Sequence, residues 1–259
     1  MARFQESAAK QAIRRLILEA ATRLQRQGLT YLGMPAEEAL DILILKNLLK
    51  NAICVAMKET TLEETRRSIA TLPLKQRRFV VMDMWDYLLK EYSREELVAD
   101  VTFLDFYGGG LTRHDPFAAE IAGLRSYFAK HARFSKKAFV LAWTYMPRDK
   151  GEAKYVEVLS KLLPTDDIQL LKTTSGVAFR SVALRLLLRQ HLIEHGLVAK
   201  LFHHAVYKRV MSTMILIFSK DTDPSCSVAL GSPHSLVDEP CCVYDPRQPA
   251  PRLVSLFDM

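Results

Sequence analysis

Apolar and polar residues alternate along this chain with two periods, one typical of helices and the other of buried strands. Residues 5–27 have apolar side chains at helical spacing, which ends at Gly28. Short apolar runs then recur, separated mostly by segments of helical spacing. We predict strands at 29–33, 52–57, 78–82, 98–106 and 138–145, and helices at 37–51, 61–72, 85–92, 116–130, 151–163 and 177–195. Strands that alternate with helices are typical of a mostly parallel sheet.

Two more strand-like runs follow at 198–207 and 213–219. The residues between them are too few to form a crossover helix, so the two strands are expected to form an antiparallel hairpin. We therefore predict an α/β fold: a mostly parallel seven-stranded sheet with helices on both faces and a C-terminal antiparallel hairpin.

The composition divides the chain into a body and a tail. The 259 residues are enough for one large core, and six of the eleven prolines fall between residues 224 and 251. We predict one Rossmann-like domain over 1–221, which includes the N-terminal helix. Residues 222–259 are expected to form a proline-rich, acidic and largely irregular tail, which could bind a protein partner.

Charge is also distributed unevenly. The net charge is +7, and the tail has five acidic and two basic residues, so the body carries +10. A basic body permits binding to nucleic acid without requiring it. The basic clusters lie at 75–78, 130–137 and 208–209 and along Arg180, Arg185 and Arg189.

Several functional classes are not expected from this sequence. It contains no apolar run long enough to span a membrane, and charges occupy the N-terminal region, so we expect a cytoplasmic protein. His191 and His195 share a helix face, but no HExxH pattern surrounds them, and no metal site is expected. No CxxC spacing that would indicate zinc binding occurs among the four cysteines, Cys54, Cys226, Cys241 and Cys242, and Cys54 is expected to be buried.

Ligands of such sheets bind outside the carboxyl ends of the strands, so the strand ends contain the candidate site residues. Gly33, after the first strand, permits close approach of a ligand or simply forms a tight turn. Glu59, after the second strand, could accept hydrogen bonds from ribose hydroxyls or could stabilise a helix N-terminus. Asp83, after the third strand, could bind an exocyclic amine while Met84 or Trp85 covers an adenine ring, or could be a helix N-cap.

The fourth strand ends in the sequence Leu-Asp-Phe-Tyr-Gly-Gly-Gly at residues 104–110. Asp105 could accept a hydrogen bond from an amine, and Tyr107 could stack on a base. Phe106, Gly108 and Gly109 would then line the substrate position, because glycines allow a flat ring to approach closely. The alternative is a glycine loop that binds nothing.

After the fifth strand, Arg148 and Lys150 could contact phosphate groups of a nucleic acid. A solvated loop is the alternative interpretation of the same residues.

The order of the elements resembles that of the class I (Rossmann-like) S-adenosylmethionine-dependent methyltransferases, which have five parallel strands followed by an antiparallel hairpin. Asp105 and Tyr107 are similar to the acid and the aromatic residue of the family's strand-four motif, although the prolines of that motif are missing. This resemblance implies that Asp105 and Tyr107 are catalytic. It also implies that Gly33, Glu59, Asp83 and Trp85 hold S-adenosylmethionine, with Gly33 alone in place of a glycine-rich loop.

The sequence thus favours an S-adenosylmethionine-dependent methyltransferase that acts on a nucleic acid. A non-catalytic, methyltransferase-like module that binds nucleic acid or a protein partner is the main alternative. A nucleotide- or dinucleotide-dependent enzyme of another Rossmann type agrees less well, because the terminal hairpin is present and GxGxxG is missing.

Overall fold

The structure is a computed structural model that describes residues 8–36, 38–106, 116–135, 137–145, 152–174, 177–207, 211–220 and 242–244. Its helices are α1 (Ala8–Thr22), α2 (Leu40–Leu45), α3 (Glu59–Ser68), α4 (Met84–Asp86), α5 (Pro116–Phe134), α6 (Glu152–Leu159), α7 (Thr165–Thr173) and α8 (Val177–His195). Its strands are β1 (Leu29–Gly33), β2 (Leu49–Ala56), β3 (Gln76–Val81), β4 (Val101–Asp105), β5 (Phe139–Tyr145), β6 (Leu197–Tyr207), β7 (Met211–Lys220) and β8 (Cys242–Tyr244). Helix α4 continues as a π-helical turn and then a 3-10 turn.

The strands form one sheet in the order β3-β2-β1-β4-β5-β7-β6-β8. Strands β1 to β5 are parallel to one another, and β7 lies antiparallel between β5 and β6. The predicted α/β fold is confirmed: its seven predicted strands form, with a terminal antiparallel hairpin, and β8 adds an eighth strand beside β6. Because the strand order reverses between β1 and β4, their carboxyl ends mark the place where such sheets bind ligands.

Helices cover both faces of the sheet, as predicted. On one face, α1, α2 and α3 pack over alternate residues of the strands, and α1 contributes its apolar stripe of Ile13, Leu16, Ile17, Ala20 and Ala21. On the other face, α4 to α8 pack over the intervening residues, including Trp143 and Phe218. Large aliphatic side chains buried in this way each stabilise the fold by about 1.5–3 kcal/mol. Cys54 lies in the first of these layers and is buried, as expected.

The boundary between α2 and β2 corrects the sequence prediction. The predicted helix at 37–51 is only six residues long, and β2 begins at Leu49. Ala39 adopts a left-handed conformation just before α2, which delays the start of the helix. Asn51 was placed at the helix end but lies inside β2, where its amide donates to Thr30 Oγ1 at 3.1 Å. A polar side chain can be buried in a strand when the neighbouring strand supplies its partner.

Two elements were missed altogether. Helix α7 follows Pro164 and has Asp166 and Asp167 in its first turn, where acids stabilise a helix N-terminus. Strand β8 pairs with β6 in the region that we predicted to be irregular. Residues 222–241 and 245–259 of the predicted tail lie outside the described ranges. No helix in the described ranges has both the length and the apolar character needed to cross a bilayer.

One member of the predicted basic clusters is a core residue. Lys130 is buried, and its ammonium donates to the backbone carbonyls of Tyr92, Glu95 and Leu97 at 2.6, 2.8 and 2.8 Å. It therefore holds the chain between α4 and β4 against α5. Lys130 is consequently not part of an exposed basic surface.

Next to Lys130, His131 lies in an aromatic core. Its ring stacks on Phe139 at a centroid distance of 3.9 Å, and its Nε2 is 3.1 Å from Tyr92 Oη. Burial, with a smaller contribution from Lys130, lowers the pKa of His131 to about 3. The imidazole is therefore neutral in the folded protein across the physiological range.

We expect the neutral state of His131 to make the fold acid-sensitive. Below pH 6.5 the unfolded chain binds a proton at this histidine that the folded chain does not bind, so stability is lost as pH falls. The loss attributable to this residue is about 2 kcal/mol between pH 7.5 and pH 5. His131→Gln should remove that part of the slope in urea-unfolding measurements at the two pH values. Equal slopes for variant and wild type would contradict this assignment.

Candidate active site

A cleft lies at the carboxyl ends of β4 and β5, beneath α1. It is lined by Lys10, Ile13, Arg14, Phe103, Asp105 and Thr144, and its volume is about 10 Å³, roughly the space that one water molecule needs. Typical ligand pockets hold roughly 300–1,000 Å³. The described part of the cleft therefore has room only for one very small group, such as the N–H end of a larger molecule.

Asp105 lies at the end of β4 and points into this cleft. Its Oδ2 is 3.0 Å from the Lys10 ammonium of α1, and the side chain is 10% exposed. Its Oδ1 is buried and accepts no hydrogen bond from the described residues. A buried carboxylate oxygen without a donor is costly, so the site is complementary to a ligand that brings an N–H or O–H group.

A second ion pair lies deeper in the same site. Arg14 of α1 donates from Nε to Asp41 at the start of α2, and both side chains are buried. Burial raises the pKa of Asp41, while Arg14 counteracts that shift. This pair joins α1 to the segment that follows β1.

The phenol of Tyr31 lies between these charges. It is fully buried, and its hydroxyl has no hydrogen-bond partner among the residues that the structure describes. Burial raises the pKa of Tyr31 well above 10, and Asp41, Cys54 and Asp105 raise it further. Tyr31 therefore keeps its proton and can act as a hydrogen-bond donor.

Gly33 accommodates this tyrosine. A Cβ atom at residue 33 would lie 2.2 Å from the hydroxyl of Tyr31 and 2.9 Å from the carbonyl oxygen of Phe103. The glycine is thus required by the packing of β1 itself. The predicted contact of Gly33 with a cofactor remains a prediction. The packing of Tyr31 against residue 33 is a separate, structural reason for the glycine.

Sequence reasoning missed most of the residues that surround Asp105. Lys10 and Arg14 are one helical turn apart and flank Ile13 on the buried stripe of α1. Cations on an otherwise apolar helix face are a usable signal that acidic partners lie opposite. Thr144 was also missed: its hydroxyl is 2.9 Å from that of Thr213, which joins β5 to β7 at this edge.

Glu59 and Asp83 lie at the neighbouring strand ends. Glu59 is the first residue of α3; its carboxylate is 54% exposed and 3.7 Å from Arg66 Nη2. Asp83 accepts hydrogen bonds from the backbone N–H groups of Trp85 and Asp86 at 2.9 and 3.3 Å, so it is an N-cap, the alternative role considered for it. Met57 and Val81, which precede Glu59 and Asp83 in the sequence, are exposed.

Trp85 and Phe106 pack on the opposite face of the sheet from Asp105. Their rings stack at a centroid distance of 4.6 Å, and Trp143 contacts Trp85 edge-on at 5.7 Å. Trp85 is buried, whereas Phe106 is half-buried. Consecutive residues of a strand point to opposite faces, which separates Asp105 from Phe106. The other predicted site residues, Tyr107, Gly108, Gly109, Arg148 and Lys150, lie outside the described residues.

No protein-family model matches the sequence, and no curated protein sequence matches it. Solved structures with similar folds include an O-methyltransferase from Bacillus cereus in complex with SAH. It is 13% identical, with a TM-score of 0.48, over 84% of this chain and 84% of that one. A precorrin-6y C5,15-methyltransferase from Geobacter metallireducens is 14% identical, with a TM-score of 0.44, over 85% of this chain and 94% of that one. These similarities concern the fold alone.

We expect Gly33→Ala to destabilise the protein by about 1–3 kcal/mol, the usual cost of overpacking a dense core. In a Tyr31→Ala background the same substitution should cost less, because the phenol that it meets is gone. Urea unfolding of the four proteins in this double-mutant cycle measures both costs. An equal cost in both backgrounds would show that Tyr31 is not the reason for the glycine.

Proposed function

We propose that this chain is an S-adenosylmethionine-dependent methyltransferase that acts on a nucleic acid. The observation that carries the proposal is the buried, unpartnered Oδ1 of Asp105 at the carboxyl edge of a methyltransferase-type sheet. A carboxylate in this position can hold an amine by its N–H group and aim the nitrogen lone pair away from itself.

The residues at the ends of β2 and β3 fit the adenosine half of the cofactor. Glu59 presents an exposed carboxylate that can accept hydrogen bonds from ribose hydroxyls. Met57 and Val81 offer exposed apolar surface to the flat face of an adenine. When bound, S-adenosylmethionine supplies a methyl group that its sulfonium has already activated.

The protein's own contribution is then mainly to position the substrate. Lys10 lies against Oδ2 of Asp105 and leaves Oδ1 free to accept a hydrogen bond from the amine. Helix α1 lines the site, and Oδ1 of Asp105 is buried beneath it, so few waters can compete for that oxygen. Holding two reacting groups in line lowers the barrier substantially. The proton that the amine must lose on gaining a methyl group would pass to Oδ1 of Asp105, the atom that accepts its N–H.

Nucleic acid is proposed as the substrate because of charge. The chain carries a net charge of +7, and the excess is concentrated before residue 222. Phosphate backbones are bound chiefly by such positive charge, and the binding weakens steeply with salt. Bases with exocyclic amines supply the N–H groups that Asp105 is suited to accept.

The non-catalytic alternative has one observation in its favour. The ring of Tyr31 occupies the space beside Gly33, at the strand end where ligands of this fold class bind. If that strand end is closed to the cofactor, the chain would use its positive charge to bind nucleic acid without modifying it.

Calorimetric titration with S-adenosylmethionine tests the cofactor half of the proposal. We expect binding by the wild type and affinity lowered about tenfold in Glu59→Gln, since losing one strong hydrogen bond costs about 1.4 kcal/mol. Glu63→Gln, an exposed change one turn further along α3, is the matched control and should bind normally. Lack of binding by the wild type at millimolar cofactor would rule out the methyltransferase and leave the non-catalytic module.

Asp105→Asn tests the catalytic half. Asparagine keeps the shape of the side chain but presents an amide in place of the carboxylate, so we expect methyl transfer to RNA or DNA to slow by roughly 100-fold. Cofactor affinity should stay unchanged. Transfer is followed with a radiolabelled methyl group, and Asp166→Asn on the exposed start of α7 is the control. Full activity of a correctly folded Asp105→Asn variant would refute this role.

A further inference from the structure

A second group of chemically competent side chains lies at the end of α8, away from the candidate active site. Within the described residues, His191, Glu194 and His195 bring one ligand atom each to within 4.8 Å of one another. They follow the spacing i, i+3, i+4, which places all three on one face of a helix. The order His-x-x-Glu-His is different from HExxH, so the HExxH pattern does not include these residues.

The burial of His191 and of one ring nitrogen of His195 suggests that this face binds a ligand. His191 is 2% exposed, and neither of its ring nitrogens makes a hydrogen bond with the described residues. Nε2 of His195 is likewise buried and without a hydrogen bond in the described part of the chain. A buried imidazole nitrogen without a partner is costly, and a metal ion would satisfy one such nitrogen on each histidine.

The chemistry of the three groups matches a divalent transition metal. Nδ1 of His191 is 3.5 Å from Oε2 of Glu194, close to the spacing of two ligands on one tetrahedral zinc ion. Two imidazoles and a carboxylate are a common ligand set for zinc, and water can complete the coordination.

One neighbouring cation competes for the carboxylate. Nε of Arg125, on α5, is 3.5 Å from Oε2 of Glu194. The Arg125 side chain is 61% exposed, so this ion pair contributes little and can be given up when a metal binds. Arg125 thus weakens metal binding at this position without preventing it.

The position of the group separates it from the candidate active site. Helix α8 ends at His195, just before Leu197 begins β6, and Leu197 pairs with Lys220 at the end of β7. This end of β7 pairs with the start of β5, whereas the candidate active site lies at the end of β5. The three ligands therefore lie near the amino ends of the parallel strands, whereas the candidate active site lies at their carboxyl ends.

The geometry points to a zinc-binding site formed by His191, Glu194 and His195 at the C-terminal end of α8. It lies apart from the proposed methyl-transfer site and would stabilise the contact between α8 and α5. Zinc binding there would also raise the melting temperature, because the unfolded chain does not hold the three ligands together.

The test is titration of the chelator-stripped full chain with Zn²⁺ alone, followed by calorimetry and by thermal unfolding. We expect His195→Gln and Glu194→Gln each to weaken Zn²⁺ binding by about tenfold or more and to abolish the rise in melting temperature. Both side chains are at least partly exposed, so these variants avoid disturbing the buried His191. Ile193→Gln, an exposed change between the ligands, is the matched control and should bind as the wild type does.

Arg125→Ala is expected to change the affinity for Zn²⁺ in the opposite direction. Removing the competing cation should tighten Zn²⁺ binding by a factor of about two to five, the scale of a surface ion pair. Zinc bound adventitiously to other histidines would not respond to this change. The proposal is overturned if the wild type does not bind Zn²⁺, or if His195→Gln and Glu194→Gln bind it as tightly as Ile193→Gln.

Discussion

Helix α1 buries two cationic side chains against the carboxyl edge of the sheet, and the candidate site depends on how these charges are paired. A buried charge is costly unless an opposite charge and hydrogen bonds compensate for it. Lys10 pairs with Asp105 of β4, and Arg14 pairs with Asp41 of α2. Because each acid belongs to a different element, the two ion pairs fix α1 relative to the sheet and to the segment after β1. The strand end that bears Asp105 is thereby enclosed.

This enclosure explains why Asp105 can have an unpartnered oxygen at all. In open solvent, water would occupy both carboxylate oxygens, and the acid would have no preference for a substrate. Under α1, one oxygen is held by Lys10 and the other faces a small cleft. Helix α1, which pairs with Asp105 through Lys10, therefore also makes Oδ1 of Asp105 selective for a ligand that brings a hydrogen-bond donor.

Much of the fold could be predicted because the period of apolar residues depends on local geometry alone. All seven predicted strands form, and the short link between β6 and β7 was enough to predict their hairpin. The prediction failed where tertiary contacts override local pattern. Asn51 extends β2 because Thr30 of the neighbouring strand bonds its amide. Helix α7 was missed although its first-turn acids are a local signal.

Only those residues of the candidate site whose positions follow from the sheet could be predicted from the sequence. Parallel strands bring their carboxyl ends to one edge, so Gly33, Glu59, Asp83 and Asp105 could be identified from strand ends alone. Lys10 could not, because it is 95 residues from Asp105 and nothing local links the two. The pairing of a cation on an apolar helix face with an acid at a strand end is visible only once the helix is placed over the sheet.

Tyr31 belongs to β1, which lies between β2 on one side and β4, which bears Asp105, on the other. It therefore limits how a ligand can enter. Its ring fills the space beside Gly33 on the same face of the sheet as Asp105, so a ligand cannot approach β1 closely on that face. The strand ends of β2 and β3 have no such obstruction, because Met57, Val81 and Glu59 are exposed there. A cofactor that binds through β2 and β3 would therefore reach Asp105 from the side of Tyr31. Tyr31 keeps its proton, and its hydroxyl is buried against Gly33. The tyrosine therefore forms a fixed wall of the first strand end, and a ligand has to pass it to reach Asp105.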